Sequence, residues 1–214
     1  MLNYMKNLKI AIVATLTIVF GMSSCIEHEV IPAPVPMVDL SCHFIGVVNG
    51  SNVELTENVL GYYCETSKAK ILLPSPSLSS ASYFSEMLSS STPVSVKIAL
   101  GSVMWDASTS IDPDVSAFNA FHSSNLTPNF STTGTAGFEF SFRDGTGVTW
   151  TSKSNSTNFQ DVTFSSIIQE SDTSGDYSKF KCNFECYVYH MDAVTLLWDS
   201  LKVQNAEYEA WFKR

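Results

Sequence analysis

The sequence predicts an all-β fold: an antiparallel two-sheet β-sandwich, Ig-like or jelly-roll-like, with one or two short helical inserts. Segments that alternate apolar and polar residues recur about every ten to fifteen residues along the chain. Turn dipeptides such as Asn49-Gly50 and Asp144-Gly145 separate some of them. Lysine and arginine total only 12 of 214 residues while serine and threonine are abundant, a composition that favours strands and loops over long helices.

The first half of the chain contains several predicted strands and both predicted helices. "VDLSCHFIGVV" alternates and runs into Asn49-Gly50, the strongest short signal for a β-hairpin. Further strands are predicted in "NVLGYYCET", "KAKILLP" and "VSVKIALGSVMW". One helix is predicted in "SASYFSEML". The other begins at Asp112 as N-cap with Pro113 in its first turn, which places Val115, Phe118 and Phe121 on one side.

The second half shows clearer alternation. "GFEFSFRDGTGVTW" predicts a strand, a turn at Asp144-Gly145 and a returning strand that contains Trp150. "VTFSSIIQ", "YSKFKCNFECYVYH" and the final "LKVQNAEYEAWFKR" predict three more strands. Alternation places Trp150 and Trp211 in the core.

The N-terminal segment has the pattern of an export signal. Lys6 and Lys9 precede an apolar run over residues 10–20, which is about as long as a signal-peptide core and shorter than the roughly 20 residues of a membrane-spanning helix. The following Met22-Ser23-Ser24-Cys25 resembles the lipobox of bacterial lipoproteins. That resemblance implies cleavage between Ser24 and Cys25 and acylation of Cys25. A plain signal peptide with a cysteine by chance is the alternative.

The predicted organisation is therefore a signal peptide over residues 1–24, an acylated N-terminus and proline-rich tether over 25–37, and one β-sandwich domain over 38–214. Alternating prolines in "IPAPVP" favour an extended spacer with a rise of about 3.1 Å per residue. Glu27 and Glu29 resemble the acidic signal that sends lipoproteins of Bacteroidota to the cell surface. The membrane is the expected partner, through the acyl anchor at the outer membrane, and a surface-facing orientation is favoured over a periplasm-facing one.

The charge of the chain restricts its partners. The net charge is −9, and removing the two lysines of residues 1–24, which contain no acidic residue, makes it −11. Such a domain is expected to repel nucleic acid and anionic lipid headgroups.

Four segments of the second half together resemble uncharacterised lipoproteins common in Bacteroidota: "FRDGTGVTWTS", "FSSII", "YSKFKCNFECYVY" and "VQNAEYEAWF". The resemblance covers most of the chain after the leader but rests on loose motifs. It implies a cell-envelope lipoprotein with a β-sandwich, and it brings no catalytic residues.

Cys42, Cys64, Cys182 and Cys186 are the disulfide candidates of the exported domain. On a regular strand Cys182 and Cys186 lie about 13 Å apart, too far for a bond that needs Cα atoms within about 7 Å. Each must then pair with Cys42 or Cys64 or stay reduced, and at least one cross-strand disulfide is expected. Buried free thiols are the alternative. A metal site formed with His43 or His190 is not expected, because zinc ligands usually come in tighter pairs.

No pattern in the sequence defines a catalytic site, and no cofactor is expected. There is no G-x-S-x-G motif, and the histidines His28, His43, His122 and His190 have no adjacent serine–aspartate pattern. Asp112 and Asp114 are explained by a helix start, and "RDGTG" by a hairpin turn rather than a calcium loop.

Trp105 and Trp198 fall near predicted strand ends and are weak candidates for ligand binding. The prediction is a non-catalytic binding or interaction module that contacts a glycan or an envelope protein. The alternatives are a structural envelope component without a small ligand and, less favoured, a carbohydrate-active hydrolase.

Overall fold

The computed structural model describes residues 37–132, 136–154 and 159–214. Ten strands and one helix follow each other along this part of the chain. They are β1 (His43–Val48), β2 (Ser51–Thr56), β3 (Tyr62–Ile71), β4 (Ser79–Ser89), β5 (Ser95–Trp105), α1 (Val115–Ser124), β6 (Phe138–Arg143), β7 (Thr149–Ser152), β8 (Asp161–Asp172), β9 (Gly175–Met191) and β10 (Trp198–Lys213). The all-β prediction with a short helical insert is confirmed.

All ten strands belong to one antiparallel sheet. Its order is β2-β1-β10-β9-β7-β6-β5-β4-β3, and β8 pairs with β9 beside β7. The sheet curls so that its two halves face each other. The ring of Phe44 on β1 stacks on Phe140 of β6 with 6.0 Å between centroids, and the Tyr208 hydroxyl of β10 lies 3.3 Å from Ser85 Oγ of β4. The two predicted layers are therefore two halves of one continuous sheet.

Residues 36–214 form one compact unit that contains every described strand and the core. Inward side chains alternate along β6, β9 and β10, as the sequence pattern predicted, and build a core rich in aromatic rings. Its fully buried aromatic residues are Phe44, Tyr83, Phe118, Phe138, Phe140, Tyr208 and Phe212. Trp150 and Trp211 are also buried, which confirms their predicted placement.

Both predicted hairpin turns are present. Asn49 and Gly50 have φ values of 49° and 81° between β1 and β2, the left-handed conformation that a two-residue turn of this type requires. The turn between β6 and β7 is organised by Asp144. Its Oδ1 accepts hydrogen bonds from the backbone N–H groups of Thr146 (2.9 Å) and Val148 (3.0 Å), and its Oδ2 accepts one from the Trp150 indole N–H (2.9 Å).

Two local predictions were wrong. The segment "SASYFSEML" lies within strand β4 and is not a helix, because it pairs with β3 on one side and β5 on the other. Helix α1 begins at Val115 with Asp114 as N-cap, so the predicted cap, Asp112, is two residues too early. Asp114 Oδ1 accepts the Ala117 N–H, whereas Asp112 forms ion pairs with Lys68 (2.7 Å) and Lys70 (3.1 Å) of β3.

One disulfide links Cys42, just before β1, to Cys64 on β3, with 6.4 Å between Cα atoms. It ties the end of the sheet that contains β3 to the half that contains β1. Cys182 and Cys186 are free and buried on the inner side of β9. A disulfide is therefore present, as expected, but it joins Cys42 to Cys64, and the two cysteines of β9 remain as thiols.

Candidate functional site

The candidate site is the free end of the β9–β10 hairpin, called here the hairpin tip and defined as residues 191–198. Strand β10 pairs with β1 only from Val203 onward, and the Asn49 N–H donates to the Lys202 carbonyl at 2.8 Å. Residues 198–201 of β10 have β9 as their only strand neighbour among the described residues. The tip therefore extends beyond the β1–β2 hairpin by about four residues, or roughly 13 Å.

Large apolar side chains cover the hairpin tip. Val194 is 91% exposed, Leu196 67%, Leu197 69% and Trp198 57%, and Met191 is also exposed. Single exposed apolar residues are ordinary on protein surfaces, but a contiguous group marks a binding surface.

The turn of the tip is held by its own hydrogen bonds. Asp192 Oδ1 accepts the N–H groups of Val194 (2.8 Å) and Thr195 (2.7 Å) and the Thr195 hydroxyl (3.0 Å). The Leu196 N–H donates to the Asp192 carbonyl, and the Asp192 N–H donates to the Leu197 carbonyl. The N–H groups of Thr195 and Val194 lower the pKa of Asp192, so its carboxylate stays ionised. The tip is thus a turn in which the N–H groups of Asp192, Val194, Thr195 and Leu196 are all paired.

Aromatic rings and lysines lie behind the tip on the outer face of the hairpin. Tyr187 and Tyr189 point outward from β9, beside Lys202 and Ser200 of β10. Lys153 Nζ lies over the rings of Tyr189 and Trp198, and Lys202 Nζ lies 4.2 Å from the centroid of the Phe159 ring. We call this group the aromatic–lysine belt; its members are Lys153, Phe159, Tyr187, Tyr189, Trp198 and Lys202.

The two tryptophans predicted as ligand contacts have different surroundings. Trp198 is exposed at the tip. Trp105 is a correction to the prediction: it is buried and its indole N–H donates to the Ser110 carbonyl at 3.0 Å, so its ring offers no face to a ligand. The prediction missed the rest of the tip and the belt. Apolar residues at 191–197 lack a strand pattern, and Lys153 and Phe159 reach the hairpin from distant parts of the sequence.

The four cysteines of the described residues have surroundings that suit structural roles. Cys42 and Cys64 are bonded, and burial raises the pKa of the Cys182 and Cys186 thiols well above the usual range. Such thiols stay protonated, and a protonated thiol is a poor nucleophile or metal ligand. Within the described ranges no group of three His, Cys, Asp or Glu side chains is placed to hold a metal ion. Ser24, Cys25, His28 and the tether prolines lie outside the described residues.

The three histidines of the described part are each bonded to a group other than serine. His43 Nε2 lies 3.2 Å from Glu54, His190 Nδ1 lies 3.1 Å from the Thr149 carbonyl, and His122 Nδ1 lies 3.0 Å from the Phe118 carbonyl.

His122 is buried, and desolvation lowers its pKa from 6.5 to about 4. Burial also raises the pKa of Glu139 to about 7, although nearby Lys97 opposes the shift. These two groups lie on different elements, α1 and β6.

Comparison with known proteins gives no relative: no family model, no curated protein and no solved structure matches the chain. In the part of the chain that the structure describes, no helix is long and apolar enough to span a membrane.

Proposed function

We propose that the protein is a lipid-anchored lipoprotein of the bacterial cell envelope, of the kind found in Bacteroidota, and that its β domain is a non-catalytic interaction module. Its expected place is the outer membrane, facing the surface. The anchor is supported by the apolar run over residues 10–20 followed by Ser24-Cys25. A diacylglyceryl group and a further acyl chain on Cys25 give a stable anchor, because each buried CH₂ contributes about 0.8 kcal/mol.

The observation that carries the interaction role is the exposed apolar group of the hairpin tip. The described domain begins at Met37, and the Val38 N–H donates to Asp172 Oδ2 at 3.0 Å, beside the turn that opens β9. The tip lies at the other end of β9. This strand has 17 residues and is therefore about 50 Å long. A module tethered through its N-terminal residues would thus present the tip at the end remote from its tether.

A second candidate, a structural component that assembles with another chain, is favoured by a different surface. Ile71, Leu72 and Leu73 at the end of β3, together with Leu78 and Ile111, are exposed. Strand β3 is also an edge of the sheet, and an edge next to apolar side chains favours association. Lys68 and Lys70 on β3 oppose edge-to-edge pairing, which leaves the hairpin tip as the better supported surface.

The anchor is tested by Cys25→Ser in the producing cell. We expect the wild-type protein in the membrane fraction and the variant in the soluble fraction, because the variant has no thiol to acylate. Cys186→Ala, which removes a buried thiol far along the chain, is the matched control and should stay membrane-bound. Unchanged membrane fractionation of Cys25→Ser would contradict lipid anchoring.

A further inference from the structure

We infer that the hairpin tip is a lipid-binding element that inserts its apolar side chains into the interface of a zwitterionic bilayer. This inference rests on the proposed interaction role and names the partner of that surface. It concerns a contact separate from the acyl chain on Cys25.

The side chains of the tip suit a bilayer better than a polar ligand. Val194, Leu196, Leu197 and Met191 offer apolar surface and no strong hydrogen-bonding group, so they have nothing with which to recognise sugar hydroxyls. The tip is also the convex end of two strands, which cannot enclose a small molecule. A convex apolar surface buries its area most simply by entering a fluid apolar medium.

The backbone of the tip is prepared for such a medium. A segment that enters lipid must satisfy its own polar groups, because acyl chains offer no hydrogen-bond partner. The N–H groups of Val194, Thr195 and Leu196 all bond within the turn. Asp192, the charged member of the turn, directly follows β9, and its carboxylate accepts two of these N–H groups and the Thr195 hydroxyl.

Leu196 adds an independent observation. Its φ is 57°, in the left-handed region that glycine or asparagine adopts at lower cost than leucine. The strained residue does not serve the core, since its side chain is largely exposed. Strain of this kind at a surface residue points to a function for the side chain, and an apolar side chain at the outermost turn serves insertion.

The aromatic–lysine belt has the composition of a membrane-interface region. Tyrosine and tryptophan are enriched where the headgroups meet the acyl chains, and lysines extend their ammonium groups toward the headgroups. Lys153 covers the rings of Trp198 and Tyr189, and Lys202 covers Phe159, which leaves these ring faces poorly placed to stack on a sugar. The belt and tip favour a lipid interface over a carbohydrate platform.

Charge selects the kind of bilayer. At this end Lys153 and Lys202 balance Asp192 and Asp199, whereas the whole chain has a net charge of −9. The tip can therefore approach a neutral surface without repulsion, while the rest of the domain repels an anionic one. We expect stronger binding to zwitterionic vesicles than to vesicles that contain anionic lipid.

The test uses residues 36–214, the compact unit that holds the core and lacks the apolar leader. Phosphatidylcholine vesicles are titrated into the protein while tryptophan emission is recorded. Trp198 is the exposed tryptophan, whereas Trp105, Trp150 and Trp211 are buried, so a blue shift and reduced acrylamide quenching report the tip. Trp198→Phe should abolish the blue shift while co-sedimentation with vesicles persists.

Leu196→Asp/Leu197→Asp should weaken vesicle binding about 30-fold or more. This is the factor expected when two leucine side chains that are partly buried in the bilayer are lost. Aspartate tolerates the left-handed conformation at 196, so thermal unfolding should change little. The matched control is Leu72→Asp/Leu73→Asp, an equally adjacent leucine pair exposed on the β3–β4 loop, and it should bind as the wild type does.

Three results with protein-free vesicles would overturn the inference. They are no binding of the wild type to protein-free vesicles, binding that survives Leu196→Asp/Leu197→Asp, and equal loss in the Leu72→Asp/Leu73→Asp control. Binding to a glycan array or only to vesicles that contain membrane proteins would also overturn it, yet would leave the interaction module in place. Fractionation of Cys25→Ser combined with Leu196→Asp/Leu197→Asp tests the anchor separately, because the tip of this variant no longer binds a membrane.

Discussion

We predict that the buried His122 makes the stability of the domain depend on pH, and the size of the effect follows from its surroundings. The imidazole is 2% exposed and packs against the rings of Phe118 (4.4 Å between centroids), Phe212 (5.0 Å) and Tyr83 (5.4 Å). Its Nε2 has no hydrogen-bond partner in the described structure. A proton on this ring would be a buried charge without a counter-charge in contact, which is why desolvation lowers its pKa to about 4.

Acidification must therefore destabilise the fold through His122. Between about pH 6.5 and pH 4 the unfolded chain binds a proton that the folded chain does not, so lowering the pH favours unfolding. The contribution is fully present above pH 6.5 and is lost as the pH falls toward 4. Linkage gives a loss of about 2 kcal/mol between pH 7.5 and pH 5.0.

The assay is urea unfolding of residues 36–214 and of the variant His122→Leu at pH 7.5 and pH 5.0. Glu139 acts in the opposite direction in both proteins, because its raised pKa of about 7 makes stability fall as the pH rises. The difference between the two proteins removes that contribution. The variant should lose about 2 kcal/mol less than the wild type over this interval.

The control is Val188→Ala, a buried substitution that removes no titratable group and should keep the wild-type pH dependence. Carboxylates with lowered pKa values, such as Asp144 at about 2, do not titrate above pH 5. An identical loss of stability in the wild type and in His122→Leu would show that the buried imidazole does not cause the pH dependence.

Two further predictions concern the covalent and hydrogen-bonded ties of the fold. Cys42→Ser/Cys64→Ser should lower the free energy of unfolding by about 3 kcal/mol in urea, because the bond spans 22 residues of sequence. A loss below about 1 kcal/mol would contradict the disulfide, as would four alkylatable thiols in residues 36–214 of the wild type denatured without reductant, because Cys182 and Cys186 are buried in the native protein. Asp144→Ala should cost about 2 kcal/mol and shift the near-ultraviolet dichroism of Trp150, since it leaves the indole N–H and two backbone N–H groups without their acceptor. Asp199→Ala, an exposed acid at the hairpin, is the control for Asp144, and equal stability of the two variants would contradict this role.

The elements that the sequence predicted correctly are those fixed by local chemistry. Asn49-Gly50 and Asp144-Gly145 determine their turns through backbone conformations and hydrogen bonds within a few residues. The alternation of Phe138, Phe140 and Phe142 reflects a strand with one buried face, so it needs no knowledge of the partner strands.

The predictions that were wrong or left open concern residues whose structure is determined by tertiary contacts. Strand β4 contains Ala81, Glu86, Met87 and Leu88, which favour helices, yet pairing with β3 and β5 on both sides overrides that preference. The partner of Cys42 was left open because β3 reaches it only when the sheet curls. Asp112 attracted the N-cap prediction, whereas Lys68 and Lys70 of a distant strand bind it.

The candidate site was only partly visible in the sequence. Trp198 was identified because it lies near a strand end, and Trp105 was grouped with it for the same reason, although a nearby carbonyl holds its indole in the core. The protrusion of the tip depends on where β1 stops along β10, and the belt depends on Lys153 and Phe159 from outside the hairpin. Neither relation follows from residue patterns within β9 and β10.

The proposed anchor of the protein is lipid on Cys25. The most direct measurement is the intact mass, with N-terminal fragmentation, of the protein purified in detergent from the membranes of the producing cell. We expect a chain that begins at Cys25 and carries a diacylglyceryl group on its sulfur. A chain with an unmodified N-terminus, or one that retains residues 1–24, would rule out lipid anchoring through Cys25.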